Sequence, residues 1–239
     1  MGGNVFVTGG TGYMGRAVIP RLVAGGWDVR AVVRAGSEGK LPPGCTAVRA
    51  DVLDGRSYAE HVRPGDTFVH LVGVPRPSPW KGPAFETLDF VSAREAIETA
   101  RKAQAGHFVY VSVAHPAPIM GAYWRVRARC EEILRATGLR ASVLRPWYVL
   151  GPGHWWPAVL KPLYFAAERI RQTQAEARRL GFVTIDEMTG ALEQAVREPG
   201  DQWRVWGVEE IRAQGRRARY NQGSPPKNPN KEPEPACSP

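Results

Sequence analysis

Short, almost continuously apolar runs alternate along this chain with longer stretches in which apolar residues return at helical spacing. Asn4–Thr8 (NVFVT), Asp28–Arg34 (DVRAVVR), Thr67–Val72 (TFVHLV) and His107–Val113 (HFVYVSV) have the length and β-branched content of buried strands. Thr46–Ala50 and Arg140–Leu144 are shorter runs of the same kind. Between them the period changes. Tyr13–Ala24 places Val18 over Leu22 and Ile19 over Val23, one turn apart, and Gly25-Gly26 stops it. Pro20 inside this stretch predicts a kink. Helices are also predicted at Asp54–Val62, weakly patterned, at Ala84–Ala105, and at Gly121–Thr137 with Gly138 closing it. Strands joined through helices of this length imply right-handed crossovers and a parallel sheet covered on both faces, an α/β protein.

After Pro146 the texture changes. Residues 147–167 are rich in Trp, Pro and Leu, and Phe182–Ile185, Asp186–Arg197 and Gln202–Trp206 read as a strand, a helix and a strand. Residues 146–212 are expected to form a smaller substrate-side part over the carboxyl edge of the sheet. Asp186 is the expected N-cap of its helix; Thr189 stands three places on, so no capping box is predicted there. From Ala213 the chain is rich in Pro, Asn, Arg, Lys and Gly and nearly devoid of large apolar residues, so 213–239 is expected to be a disordered tail. The domain assignment is therefore 1–212 plus tail.

Composition narrows the classes. In 239 residues, 43% hydrophobic, no run is long enough to span a bilayer, and no signal peptide is expected. Three cysteines at wide spacing fit neither a disulfide framework nor a metal cluster and suit a reducing compartment, the cytoplasm. The histidines lack ligand spacing, and no metal is expected. The net charge of +9 raises nucleic-acid binding, but five basic and two acidic residues lie in the tail and the remaining excess forms no basic stripe with interleaved aromatics. No nucleic-acid partner is expected.

The most specific motif is Thr8-Gly9-Gly10-Thr11-Gly12-Tyr13-Met14-Gly15, directly after a predicted strand and directly before a predicted helix. In that context glycines permit a sharp turn, close backbone approach to a pyrophosphate and tight packing of helix on strand. The helix N-terminus then offers free amides and a dipole to the phosphates. The fold class is accordingly a Rossmann-type doubly wound parallel sheet. An NAD site usually places an acidic residue at the end of the second strand to hold the ribose hydroxyls. Here that strand ends at Arg34, which suits a 2′-phosphate, with Lys40 as a helper. NADP(H) is the preferred cofactor, with NAD(H) as the alternative.

From Asn4 to about Trp206 the sequence resembles the extended and atypical short-chain dehydrogenases/reductases, including the NAD-dependent epimerase/dehydratase and NmrA-like NAD(P)-binding proteins. Four segments carry the resemblance: the glycine loop, Asp51-Val52-Leu53-Asp54, Leu71-Val72-Gly73, and Leu144-Arg145-Pro146-Trp147-Tyr148-Val149-Leu150-Gly151-Pro152-Gly153. It implies cofactor contacts by Gly9, Thr11, Gly12, Tyr13, Met14 and Gly15, adenine contacts by Asp51 and Val52, ribose contacts around Val72 and Gly73, and a border to the nicotinamide from Pro146 to Val149. Asp54 also reads as a helix N-cap. The family's catalytic Ser, Tyr and Lys correspond to Ser112, Tyr123 and, in place of the lysine, Arg127. Arg127 supplies the positive charge a tyrosine needs to act near neutral pH, but it cannot relay a proton. Glu131 continues the same helix face and is an alternative partner for Arg127.

His115, just past Ser112, is a second acid/base candidate. The apolar segment 155–167 reads as the roof of an apolar pocket for a quinone or isoprenoid, as a shallow membrane contact, or as core. The implied function is an NADP(H)-dependent oxidoreductase or epimerase-type enzyme on a carbonyl, nucleotide-sugar-like or apolar substrate. The alternative is a non-catalytic NAD(P)-binding redox sensor or accessory subunit.

Overall fold

The computed structural model describes residues 2–117, 119–152 and 179–223. Among the described residues, nine strands alternate with five main helices. They are β1 Asn4–Thr8, α1 Tyr13–Ala24, β2 Asp28–Val33, β3 Thr46–Arg49, β4 Thr67–His70, α2 Val91–Lys102, β5 His107–Val111, α3 Gly121–Ala136, β6 Ala141–Leu144, β7 Tyr148–Leu150, β8 Phe182–Thr184, α4 Ile185–Arg197, β9 Trp203–Trp206 and α5 Val208–Gly223. The central sheet has the order β3-β2-β1-β4-β5-β6-β9, and every pairing in it is parallel. Chain order runs outward from β1 in both directions, so the loops after β1 and β4 diverge at the point where ligands bind in such sheets.

Alternation along the strands builds two cores. Val5 and Val7 of β1, with Val69, Val109 and Leu144, face α1, α4 and α5, where Ile19, Leu22, Leu192 and Ile211 are fully buried. Phe6, Phe68 and Phe108 stand in register on the opposite face, under α2 and α3. Their rings form a ladder, with centroids 5.2 Å apart at each step. Such cross-strand aromatic pairs fix register as well as adding burial.

The second half differs from the sequence reading. Among the described residues of 146–212, the elements divide between two places. Only β7 and β8 make a two-stranded parallel ribbon, whereas β9 joins the edge of the central sheet and α4 covers one of its faces. Asp186 is not the N-cap of α4: Thr184 is, and it forms a full capping box with Glu187. The strand ends one residue sooner than its apolar run, and the cap therefore moves two residues back. The long helix predicted from Ala84 begins as a π-helical turn, Phe85–Phe90, before α2, and Asp54–Val62 forms two short 3₁₀ turns.

The tail predicted from Ala213 is helical as far as Gly223, while residues 224–239 lie outside the described residues. The reason is Gly215, whose Cα lies so near α4 that a Cβ would strike the backbone of Glu187. Val208 and Ile211 anchor the same helix in the core. Gly215→Val should therefore overpack the α4–α5 contact and lower stability by about 1–3 kcal/mol, read from the urea midpoint.

Candidate functional site: a glycine cradle and a buried arginine hub

Because all seven strands run the same way, the residues just past them share one edge. Gly9, Arg34, Asp51, Leu71–Gly73, Ser112 and Arg145-Pro146 follow β1 to β6 in turn. The glycine loop is built by close approach. Gly9 has φ +83°, and a Cβ there would stand 2.8 Å from the carbonyl carbon of Leu71 and 2.9 Å from the amide of Val72. Two of the predicted contact segments are thereby pressed together. A Cβ on Gly15 would strike the Gly9 carbonyl and come within 2.6 Å of Gly10 Cα, so α1 sits directly on the loop. Gly12 is the N-cap of α1, with extended backbone, no side-chain cap and no acidic residue in the first turn. The amides of Tyr13, Met14 and Gly15 thus open from a cradle that only glycine permits, which suits a diphosphate. Thr11 is half-buried at its rim. Tyr13 reaches across to β7: a Cβ on Gly151 would collide with its hydroxyl, and burial followed by Asp186 raises its pKa.

At the end of β2, Arg34 is exposed and forms no ion pair among the described residues. The nearest acidic residue along the chain, Glu38, is held by Arg49 at 2.5 Å. Its pKa is lowered by a hydrogen bond to its own backbone, which burial opposes, and further by Arg49. Asp51 folds into a turn, accepting from the Leu53 amide at 2.9 Å, and Asp54 accepts from Arg56 N at 3.1 Å as the N-cap of a 3₁₀ turn. Val52 is half-buried beside them. Pro146 is buried and its carbonyl accepts from Ala114 at 2.9 Å, while Val149 pairs with Val183 in the ribbon. Gly153 and the segment 155–167 lie outside the described residues.

Arg127 is 4% exposed and forms a hub. Nη2 donates to Asp89 Oδ1 at 2.5 Å and to the Val72 carbonyl at 3.3 Å. Nη1 donates to the Val111 carbonyl at 3.0 Å and to the Tyr110 hydroxyl at 3.4 Å. Its carbon lies 5.4 Å from the Tyr123 ring centroid and 5.8 Å from that of Tyr110. Burial opposes its charge, but the Tyr123 and Tyr110 phenols and Asp89 outweigh it, so the guanidinium keeps its proton. The Asp89 carboxyl is raised by burial against the pull of Arg127 and the Val74 amide, which donates to it at 2.9 Å. A Cβ on Gly73 would strike Arg127 Nη2, so this glycine too is required by close approach.

Arg127 therefore does not pair with Glu131. Glu131 is bound instead by Arg145, through Nε at 3.1 Å and a further contact from Nη2, and by His115 Nε2 at 3.2 Å. Burial works against the Glu131 charge, yet His115, Arg145 and Ser112 hold its carboxyl below the usual carboxylate range. Tyr123 is half-buried, its ring 5.0 Å from that of Phe85. Behind the glycine loop, fully buried His70 shares a 2.8 Å hydrogen bond between Nδ1 and Thr8 Oγ1.

Sequence reasoning missed Asp89, Tyr110 and His70. Asp89 had a faint signal, an acidic residue interrupting an apolar stretch of a predicted helix. The other two sit on strands like any core residue. Among the described residues, no helix is long and apolar enough to cross a membrane.

Comparison with known proteins agrees with this geometry. The chain is 28% identical over 156 residues to a ceramide reductase of Caulobacter vibrioides, covering 63% of this chain and 48% of that protein. It is 28% identical over 168 residues to an uncharacterized chloroplastic protein of Arabidopsis thaliana, covering 60% and 58%. This chain thus spans about half the length of the curated relatives it matches. Among solved structures, the WbmH enzyme of Bordetella bronchiseptica in complex with NAD+ shares the fold with TM-score 0.64 at 19% identity, over 88% of this chain and 79% of that one. The UDP-glucose 4-epimerase of Thermus thermophilus, in complex with NAD, gives 0.62 at 20% identity, over 93% and 84%. Residues 9–153, well over half of the chain, match the NAD(P)H-binding family, so this short-chain dehydrogenase/reductase-like chain belongs to that family.

Proposed function

We propose that this chain is an NADP(H)-dependent oxidoreductase whose substrate carries a carbonyl or alcohol on an apolar skeleton. The observation that carries the reading is the glycine cradle, where uncapped amides of Tyr13, Met14 and Gly15 open at the mouth of a loop too close-packed for side chains at Gly9 and Gly15. A bound nicotinamide dinucleotide supplies the hydride donor or acceptor. The chain's own residues supply the rest. Tyr123 gives or takes the proton at the substrate oxygen, and Ser112 orients that oxygen. Arg127 lends positive charge to the Tyr123 phenol but stays bound to Asp89 and two carbonyls, so it acts as a positioning residue. The apolar character of the substrate is supported by the ceramide reductase relative and by a sterol-4-alpha-carboxylate 3-dehydrogenase of Dictyostelium discoideum, 32% identical over 69 residues.

Preference for the 2′-phosphate rests on Arg34, an exposed cation with no ion pair among the described residues, the nearest acidic residue along the chain being taken by Arg49. Calorimetric titration should give tighter binding of NADPH than NADH. Arg34→Ser should lose roughly 10- to 100-fold of the NADPH affinity with little change for NADH, as expected for one charged hydrogen bond. Equal losses for both coenzymes would refute the assignment.

The chemistry is tested by turnover. NADPH oxidation with a panel of apolar ketones and aldehydes should fall by about 10²–10⁴-fold in Tyr123→Phe, the usual contribution of a general acid. A second reading is favoured by one observation, the engagement of both terminal nitrogens of Arg127 within the fold. Under it the chain binds NADPH as a sensor or accessory subunit. Tight binding with no turnover on any panel member would select that reading.

A further inference from the structure

The loops that follow β4 and β5 leave the sheet at the same edge and meet. A Cβ on Gly82 would stand 3.9 Å from Ala122 Cβ, which brings the 75–82 loop against the start of α3. Each loop carries one large apolar side chain in solvent, Trp80 at 88% exposure and Ile119 at 53%. The first loop is closed on itself: Lys81 Nζ donates to the Pro75 carbonyl at 2.7 Å and to the Arg76 carbonyl at 3.0 Å, so Trp80 is held at the tip of a short ring of chain. Beside Ile119, the Arg125 guanidinium folds back towards Gly121, where a Cβ would come within 2.9 Å of Nη1, and lies 5.7 Å from the Trp124 ring centroid.

The charge of this rim has one sign. No acidic residue stands between Asp66 and Glu86, or between Glu98 and Glu131. Arg76, Lys81 and Arg125 form no ion pair among the described residues, and Glu86, the acidic residue closest to Lys81 along the chain, is bound by Arg129 at 2.8 Å and 3.0 Å. Some exposed cations elsewhere are matched, as Arg101 and Lys102 are by Glu98 and Arg56 by Asp54.

We propose that Trp80 and Ile119, flanked by Arg76, Lys81 and Arg125, dock this edge of the protein on the headgroup layer of an anionic lipid bilayer. Tryptophan partitions to the boundary between headgroups and acyl chains, and an aliphatic neighbour gains by entering with it. Three cations with no ion pair among the described residues are drawn to anionic lipid. A nucleic acid would reward the cations and one stacking ring, but it offers Ile119 nothing. Docking in this orientation turns the carboxyl edge of the sheet towards the bilayer, which rests on no assumption about the reaction there. If the proposed apolar substrate is correct, the same orientation presents the site to the phase that holds it.

Flotation of the full chain with phosphatidylcholine–phosphatidylglycerol vesicles, against pure phosphatidylcholine, tests the proposal without any turnover. Expected is binding to the anionic vesicles alone, weakening as salt is raised. Arg76→Ser and Arg125→Ser should each reduce the partition coefficient about 5-fold. Trp80→Ser combined with Ile119→Ser should reduce it about 10-fold or more. Arg56→Ser, on another face, should leave it unchanged. All of these side chains are largely exposed, and thermal melts confirm folding of each variant. The proposal is overturned by absence of flotation, by equal binding to neutral vesicles, by variants that float like the parent chain, or by a duplex oligonucleotide that binds the rim more tightly than the anionic vesicles do.

Discussion

Arg127→Met is expected to lower the free energy of unfolding by about 3–5 kcal/mol, the usual cost of removing one member of a buried ion pair. Methionine fills a similar volume, so the loss is electrostatic rather than a cavity. It leaves Asp89, fully buried, with no cation, and strips a donor from the carbonyls of Val72 and Val111. These carbonyls lie at the ends of β4 and β5, so the penalty falls on the segments that border the glycine cradle. Urea denaturation reads the shift, and NADPH titration should show weakened binding in the same variant. Arg127→Met with Asp89→Leu should recover a substantial part of the stability, because both charges are then gone. A single variant as stable as the parent would mean that Asp89 finds another partner and that the hub is not what joins these strands. Arg127→Lys restores the charge but not the planar fork, so it should keep the contact with Asp89 and lose one or more of the carbonyl contacts. The arginine at 127 is thus explained by architecture: one side chain satisfies four acceptors drawn from the π-helical turn, β5 and the segment just past β4.

Lowering the pH from neutral to about 4 should cost several kcal/mol of stability, at about 1.4 kcal/mol for each unit of pKa shift. Two buried histidines cause it. Burial, then Arg127, lowers His70 to about 3, and burial, then Arg140, lowers His107 to about 4. In the unfolded chain both titrate near 6.5. As pH falls below that value the unfolded state takes up protons that the folded state refuses. The stabilisation is therefore complete above about 6.5 and is lost progressively as pH falls towards 4 and 3. Glu131, held below the usual carboxylate range, adds a loss of the same sign at still lower pH. Urea midpoints measured between pH 7.5 and 4 would show the decline, in the same window that the cited histidine shifts define. His70→Asn, which keeps a polar group facing Thr8, should flatten the decline. An acid limb identical in parent and variant would remove His70 as its source.

Much of this was legible in the residues. Strand cores such as Val5-Phe6-Val7 and Phe68-Val69 announce a sheet buried on both faces, and the helix period between them announces crossovers. A crossover has one hand, so a parallel sheet with one active edge follows from local pattern alone. The glycine loop was equally plain, because its demand is local: a chain that turns within a few residues and lets a helix approach its own loop must lack side chains there.

What escaped the pattern depends on residues distant in sequence. Gly215 reads as one glycine in a polar, basic stretch, and only the approach of Glu187 makes it a reason for α5 to stay folded. Glu131 and Arg127 share a helix face four residues apart, which suggested a pair. The fold gave each a stronger partner from another element, Arg145 for one and Asp89 for the other. Helical spacing fixes which side chains point the same way, but in a buried setting the winner is the partner that leaves the fewest charges unsatisfied, and that is decided by which elements pack there. By itself the sequence determined a dinucleotide cradle at one edge of a parallel sheet. The tertiary structure alone decided that Arg127 is sunk into the scaffold of that edge, and that an exposed tryptophan stands on its rim beside three cations with no ion pair among the described residues.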